Sequence, residues 1–439
     1  MGLFCCRNDF LHVPRKISDR EVELRNADFE SHEPIKMDKK KNSATGFDYV
    51  TRVLPSIGEV PAAVWDGLLA AHADASPFMQ HAYLRAMETS GSASPETGWR
   101  GQILTLEREG SLVAACALYV KDHSYGEYVF DWAWANAYQQ HGLPYYPKAV
   151  VAVPFTPVPG ARLLAVNGDA RTALVQALVQ WSQEQQLSSL HLLFVSEPDL
   201  QACEAAGLMA RHTVQFHWTN TTPGYTDFDD FLSHLAQDKR KKIRQERRKV
   251  ADAGVRFRWA RGTDISDADW DFFYRCYERT YLEHGNAPYL SRAFFQQMQI
   301  DMPDNWLLFV AERDGRPMAS SLIALSTQAL EPGTEAQPKV AYGRYWGALE
   351  RVDCLHFEAC YYQPLAWCIA HGYHRFEGGA QGEHKMARAL LPVKTSSAHW
   401  LAHPAFADAV ANFLEREGAG IENYMDDLQQ RSPLRTIKP

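Results

Sequence analysis

The sequence predicts an α/β fold in which a mixed sheet flanked by helices occurs twice in tandem, over residues 46–222 and 223–439. Three observations predict it. Alternating apolar runs of strand type are interleaved with segments of helical period. The order hairpin, strand, helix, strand, helix, strand occurs in each half. The two halves also close alike: a helix holding Trp181 leads to a strand ending His217-Trp218, as a helix holding Trp367 leads to a strand ending His399-Trp400. With 439 residues, 46% of them hydrophobic and 22% charged, the chain has the apolar material for two cores.

Residues 1–45 are polar and carry no sustained period, so they read as a disordered lead, with Met37 a candidate initiator. The opening Met1-Gly2-Leu3-Phe4-Cys5-Cys6 invites a lipid anchor, but Cys6 stands where the myristoylation pattern takes Ser or Thr. Regular elements begin with short helices over Val64–Ala71 and Pro77–Ser90. Strands Gln102–Glu107 and Leu112–Lys121 then flank the turn residues Arg108-Glu109-Gly110-Ser111. A proline-punctuated extended run, Lys148–Ala165, precedes a helix over Arg171–Gln186 with Asp169 as its expected N-cap. Strand Leu190–Val195, a helix near Pro198–Ala206 and strand Leu208–Trp218 end the half.

The second half opens with one long helix over Phe228–Ala251. Strand Val255–Trp259 follows, then helices Asp267–His284 and Ser291–Gln299 and a hairpin of Trp306–Glu312 with Met318–Leu325. Strand Lys339–Trp346 leads to helix Phe357–His371, where Gly372 suits a left-handed cap. Strand Tyr373–Phe376, a glycine-rich loop, helix Glu383–Leu391, strand Val393–Leu401 and helix Pro404–Glu417 complete the order.

Composition removes several functions. A net charge of −8 argues against a surface devoted to nucleic acid, and DNA is not an expected partner. No run approaches ~18 apolar residues, so integral membrane association is not expected. Eight scattered cysteines without a CxxC pair suit a reducing, cytoplasmic setting. The spacing of His356, Cys360, Cys368, His371 and His374 fits no zinc pattern, and no metal is expected.

Three constellations carry chemistry. The run Lys239 to Lys249 holds eight cations and one acid on one helix; Lys239, Arg240, Lys242 and Arg244 are candidate phosphate contacts, against the plain alternative of a solvated face. The segment Glu377-Gly378-Gly379-Ala380-Gln381-Gly382-Glu383-His384-Lys385, with Arg388 beyond it, removes side chains where a strand turns toward a helix. Backbone N–H groups can then approach a ligand. Tyr345, Trp346 and Glu358 are candidates for lining an acceptor cleft. Phe155 and Arg162, in the proline-rich run, are placed either in a ligand groove or on a sheet edge. His217 and His399 read as sheet-packed.

Pro154-Phe155-Thr156-Pro157-Val158, the basic helix, and Phe376 to Lys385 with the trailing Ser397, His399 and Trp400 together resemble the FemAB-like peptidoglycan biosynthesis/recognition family, from about Arg52 onward. The resemblance implies two tandem GNAT-like acyltransferase domains and an N-acyl or aminoacyl transfer to an amine, with a peptidoglycan precursor as acceptor. The donor it implies is aminoacyl-tRNA or acyl-CoA; the other reading is a non-catalytic module that recognises the precursor. No Q/R-x-x-G-x-G/A pyrophosphate loop is present. Such a transfer needs a base for the amine proton and a donor for the oxyanion. His384 or Glu383 is the expected base and Lys385 the expected oxyanion partner, with Glu377, Gly378, Gly379, Gln381, Gly382 and Arg388 around the substrate.

Overall fold

The computed structural model describes residues 49–326, 338–379 and 382–435; Gln381 and the N-terminal lead lie outside the described residues. In the first half the strands are β1 (Val50–Leu54), β2 (Arg100–Arg108), β3 (Ser111–Lys121), β4 (Lys148–Val151), β5 (Leu164–Ala165), β6 (Ser189–Val195) and β7 (Met209–Thr219). In the second they are β8 (Val255–Arg261), β9 (Trp306–Arg313), β10 (Arg316–Leu325), β11 (Val340–Ala348), β12 (Arg375–Glu377) and β13 (Leu391–Leu401). All 13 join one mixed sheet, in the order β1-β2-β3-β4-β6-β13-β7-β12-β11-β10-β9-β8, with β5 beside β3.

That order exchanges the closing strands. β13 lies between β6 and β7, and β7 pairs with β12. Each half contains one parallel pair, β4 with β6 and β11 with β12, and each pair is extended by the last strand of the other half. The two exchanged strands pair with each other from Leu391 opposite His217 to His399 opposite Met209. A single apolar cluster on one face accordingly runs from Phe78, Tyr83 and Trp99 to Tyr277, Phe295 and Tyr345.

Local chemistry sets the remaining elements, with some departures from the sequence expectation. The helix Gly168–Glu184 is capped by Asn167, whose side chain accepts from the Ala170 N–H at 2.9 Å, and not by Asp169, which lies in its first turn. The expected long helix is two, Phe228–Ser233 and Gln237–Asp252. Between them the chain is held by the C-terminal segment: Ala236 N–H donates to Pro433 O and Arg435 N–H to His234 O, each at 2.9 Å. The segment expected to be helical from Glu383 is only a 3-10 turn, Glu383–Arg388, and the last helix continues to Gln430.

The helix before β12 contains a π segment, Glu358–Tyr362, between Leu355–Phe357 and Gln363–Ala370. Pro364 has no N–H to return to this turn, and the Ser321 hydroxyl supplies a donor to Ala359 O at 2.6 Å instead. On β11, the backbone of helix Asp267–Glu283 approaches so closely that a Cβ on Gly347 would lie 1.9 Å from Cys276 O. Gly347→Ala is therefore expected to destabilise the protein by about 1–3 kcal/mol through overpacking, read as a lower denaturation midpoint with an unchanged m-value.

Among the described residues no helix is long and apolar enough to cross a membrane.

Candidate functional site

The opening that the fold creates lies where β11 and β12 part. They are in parallel register only at Val340–Arg375, Ala341–Phe376 and Tyr342–Glu377. Beyond these, Gly343 and Gly378-Gly379 stand on the two sides, and the Gly343 carbonyl is 3.8 Å from where a Cβ on Gly379 would be. Gly379 has φ +86° and Gly382 φ +113°, backbone that favours glycine. A Cβ on Gly378 would meet Leu390 Cδ2 at 2.4 Å. The glycines let two strand ends and a tight turn approach without side chains between them.

Three ionisable groups are buried at this opening. Lys385 is 3% exposed, and its ammonium donates to Gly379 O at 2.8 Å. Burial pushes it down to about 7. Glu377 is buried beside the start of the loop; burial pushes its carboxyl up to about 7 against the opposing charge of Arg375. Arg375 Nε stands 3.0 Å from Glu377 Oε1 without hydrogen-bond alignment, and Glu377 Oε2 is buried with no hydrogen-bond partner. His217, opposite Glu377 on the exchanged strand β7, brings Nε2 to 3.9 Å from that same Oε2. Burial, with Arg375 and Lys385 nearby, holds the imidazole neutral, down at about 3. The site thus joins a residue of the first half to two of the second.

The other sequence candidates divide. Glu383 turns outward to the last helix, accepting from Tyr424 Oη at 2.6 Å and pairing with Arg431 at 3.3 Å. His384 packs on Phe357 and lies 3.2 Å from Tyr361 Oη. Arg388 is committed to structure: it pairs with buried Glu246 at 2.9 Å, donates to His384 O at 2.7 Å and lies over the Phe357 ring. Glu358 is buried and paired with Arg247 at 3.1 Å, and Trp346 packs edge-on to His356. Arg162 is fully buried, its guanidinium spent on the carbonyls of Leu193 and Ala161. Phe155 and Tyr345 instead face one another's neighbourhood across the two halves, around Arg344.

Of the basic run, Lys239 pairs with Asp238 at 3.0 Å, Arg240 donates to Ser233 O at 3.3 Å and Arg244 pairs with Asp229 at 3.3 Å; Lys242 is exposed. A cavity of about 480 Å³ beside this helix is lined by Arg244, Arg247, Arg248, Phe257 and Glu358 among others. Sequence reasoning missed His217 as a site residue. Its local signal is the His-Trp pair closing both halves, which by itself points to sheet packing.

A second buried charged cluster lies in the first half. Lys148, on β4, donates to Ser124 Oγ and Glu127 Oε2 at 2.8 Å each and pairs with Asp131. Tyr145 Oη donates to Asp131 at 2.6 Å and is 3.1 Å from His191, which is 2.7 Å from His399 on the exchanged strand β13.

A family model described as FemAB-like, peptidoglycan biosynthesis/recognition, matches residues 56–436. No curated protein matches the chain. Among solved structures, the chain is similar to one titled FemX, with 10% identity over 80% of this chain and 98% of that one and a TM-score of 0.49. It is also similar to a tandem GNAT protein from the clavulanic acid biosynthesis pathway, with 14% identity over 81% and 99% of the two chains and a TM-score of 0.40. A third is the C-terminal domain of a putative lysylphosphatidylglycerol synthetase from Agrobacterium fabrum, with 12% identity over 69% and 85% and a TM-score of 0.42.

Proposed function

Because the chain belongs to the FemAB-like family of peptidoglycan biosynthesis and recognition, we propose that it transfers an acyl or aminoacyl group to an amine, a peptidoglycan precursor being the acceptor class. The observation that carries this reading is the presence, at one strand opening, of a buried carboxyl and a buried amine whose ionisations are both shifted to near neutrality. Glu377 is the base and Lys385 the electrostatic partner. The acceptor amine attacks the donor carbonyl carbon, a C–N bond forms, and Glu377 takes the amine proton. The oxyanion of the tetrahedral adduct is held by the Lys385 ammonium. The carbonyl then re-forms, the bond from carbon to the carrier's oxygen or sulfur breaks, and Glu377 returns its proton to that leaving atom. His217, neutral and hydrogen-bonded to Gln215 at 3.3 Å, lines the site 3.9 Å from the free Glu377 oxygen.

Purified protein incubated with a UDP-linked muramyl-peptide and either aminoacyl-tRNA or acyl-CoA is expected to yield an amide whose added mass identifies the donor. Saturable binding of the muramyl-peptide with no product from any donor would replace the transferase by a recognition module. Glu377→Gln is expected to lower kcat by about 10²–10⁴-fold. The carboxylate form of Glu377 dominates above about 7 and charged Lys385 below about 7. The kcat profile is therefore a bell centred near neutrality, falling on both sides, and a flat profile through that range would exclude this pair of roles.

A further inference from the structure

A second built feature lies on β11 just past the strand opening, where aromatic residues of both halves pack together. Arg344, on β11 two residues past Tyr342, is partly buried, yet among the described residues it forms no ion pair with a carboxylate. One Nη2–H donates to Phe155 O at 2.9 Å, and Nε is buried without a hydrogen-bond partner. The guanidinium lies over the rings of Phe78 and Tyr345, at 5.5 and 5.3 Å from their centroids. Tyr345, Tyr83 and Tyr128 lie within electrostatic reach of it, and the Tyr345 hydroxyl is buried without an aligned hydrogen-bond partner.

The walls come from both halves. Phe155 has φ +55° and stacks on Tyr289 with ring centroids 4.7 Å apart and 11° between the planes. Behind it, Gly126 is required, because a Cβ there would meet the Phe155 ring at 2.6 Å. Tyr289 in turn packs on Tyr281. A guanidinium removed from water normally finds an anion. Here it keeps an N–H without an aligned acceptor beside the Tyr345 phenol, while Glu377, within electrostatic reach, lies 3.0 Å from Arg375.

We propose that Arg344 and the tyrosines around it form a subsite for one carboxylate of the substrate. The charge selects the ligand: among the described residues Arg344 is the cation over the Phe78 and Tyr345 rings, and one guanidinium with a neutral hydroxyl donor matches a planar monoanion, whereas a phosphate dianion calls for further cations. The aromatic walls would hold the short aliphatic part next to that carboxylate, as in the C-terminal residue of a peptide. Arg344 stands two residues past Tyr342, the partner of Glu377 in the sheet, and acts on the charge of that carboxyl, so a peptide anchored by its carboxylate would be oriented toward the strand opening. The assignment of the carboxylate to a peptide acceptor rests on the transferase reading; the existence of the anion subsite does not.

The test is binding without turnover, so its failure is separable from failure of the transfer reaction. N-acetyl-D-alanyl-D-alanine and its C-terminal amide are titrated into the full chain up to about 10 mM, followed by calorimetry and tryptophan fluorescence. The free acid is expected to bind about 10- to 100-fold more tightly than the amide. Arg344→Met should abolish that preference without lowering the melting temperature, and Arg344→Lys should restore only part of it because the forked donor is lost. Equal binding of acid and amide, no binding of either, or a preference that survives Arg344→Met would each overturn the proposal. Displacement of a bound probe by inorganic phosphate but not by acetate would assign the cage to a phosphoryl group and overturn the carboxylate assignment. A variant that loses the preference only along with its fold would mark Arg344 as a packing residue; Tyr345→Phe, which removes only the unpaired hydroxyl, then decides, since weaker binding of the acid alone sustains the proposal and no change refutes it.

Discussion

Replacing Lys385 by Met is expected to remove transfer activity and to make the protein more stable. Lys385 is 3% exposed and its ammonium donates to the Gly379 carbonyl, with no carboxylate paired to it among the described residues. Its cost to folding comes from burial, which brings it down to about 7 from an ordinary 10.5. A Met of similar length fills the same space without the charge. Exchanges of buried charges for packed apolar groups have gained about 1–4 kcal/mol, while loss of one oxyanion partner costs about 10²–10³ in kcat. The sign with pH is fixed. A depressed amine costs the fold nothing above its unfolded value, and the cost grows as pH falls toward about 7. Denaturation of both proteins at about pH 6 and at about pH 10.5 should therefore show the variant's advantage large at the lower pH and nearly gone at the higher. A variant less stable than the parent at about pH 6 would mean that Lys385 has an anionic partner and is structural.

Replacing Lys148 by Met is expected to do the reverse and cost about 3–5 kcal/mol, because it leaves two buried carboxylates without their cation. Lys148 is fully buried, as are Glu127 and Asp131. Burial pushes the Asp131 carboxyl up, but Lys148 and His191 more than reverse this and hold it well below the usual range. Glu127, for which burial wins over Lys148, sits up at about 7. In the variant both carboxyls must protonate or drive the chain open, so the loss should be greatest above neutrality and smaller in acid. Adding Asp131→Asn should recover part of it; a double variant no better than Lys148→Met would show that the damage is to packing. The network continues through Tyr145 and His191 to His399 on β13. Amide exchange in β13 should therefore speed up more than in β8, the strand at the far edge of the sheet.

Much of the element order was legible because local signals agreed. The hairpin turn at Glu109-Gly110, with both residues at positive φ, and the left-handed cap at Gly372 are backbone demands that the sequence states openly. The first helix of the second half was not legible as two pieces. The break at residues 234–236 is made by backbone bonds to residues 433–435, almost two hundred positions away, and no local breaker marks it. In the same way Asn167 and Asp169 are both acceptable caps, and only the path of the chain into the helix decides between them.

At the candidate site the glycine loop was visible because glycines at close backbone approaches are an explicit signal. The direction of the charged residues beside it was not. Glu383, His384 and Lys385 are consecutive in a 3-10 turn, so they diverge: the first reaches the last helix, the second an aromatic surface, and the third the strand opening.

By itself the sequence determined the α/β class, the repeated element order, the glycine loop and the family, since periodicity, turn chemistry and motifs are written in neighbouring residues. Tertiary structure alone decided that the closing strands exchange places, that His217 meets Glu377, and that Arg344 stands among tyrosines from both halves. Strand pairing and burial are relations between distant segments, and the ionisation of a buried group depends on what surrounds it, which no local pattern encodes.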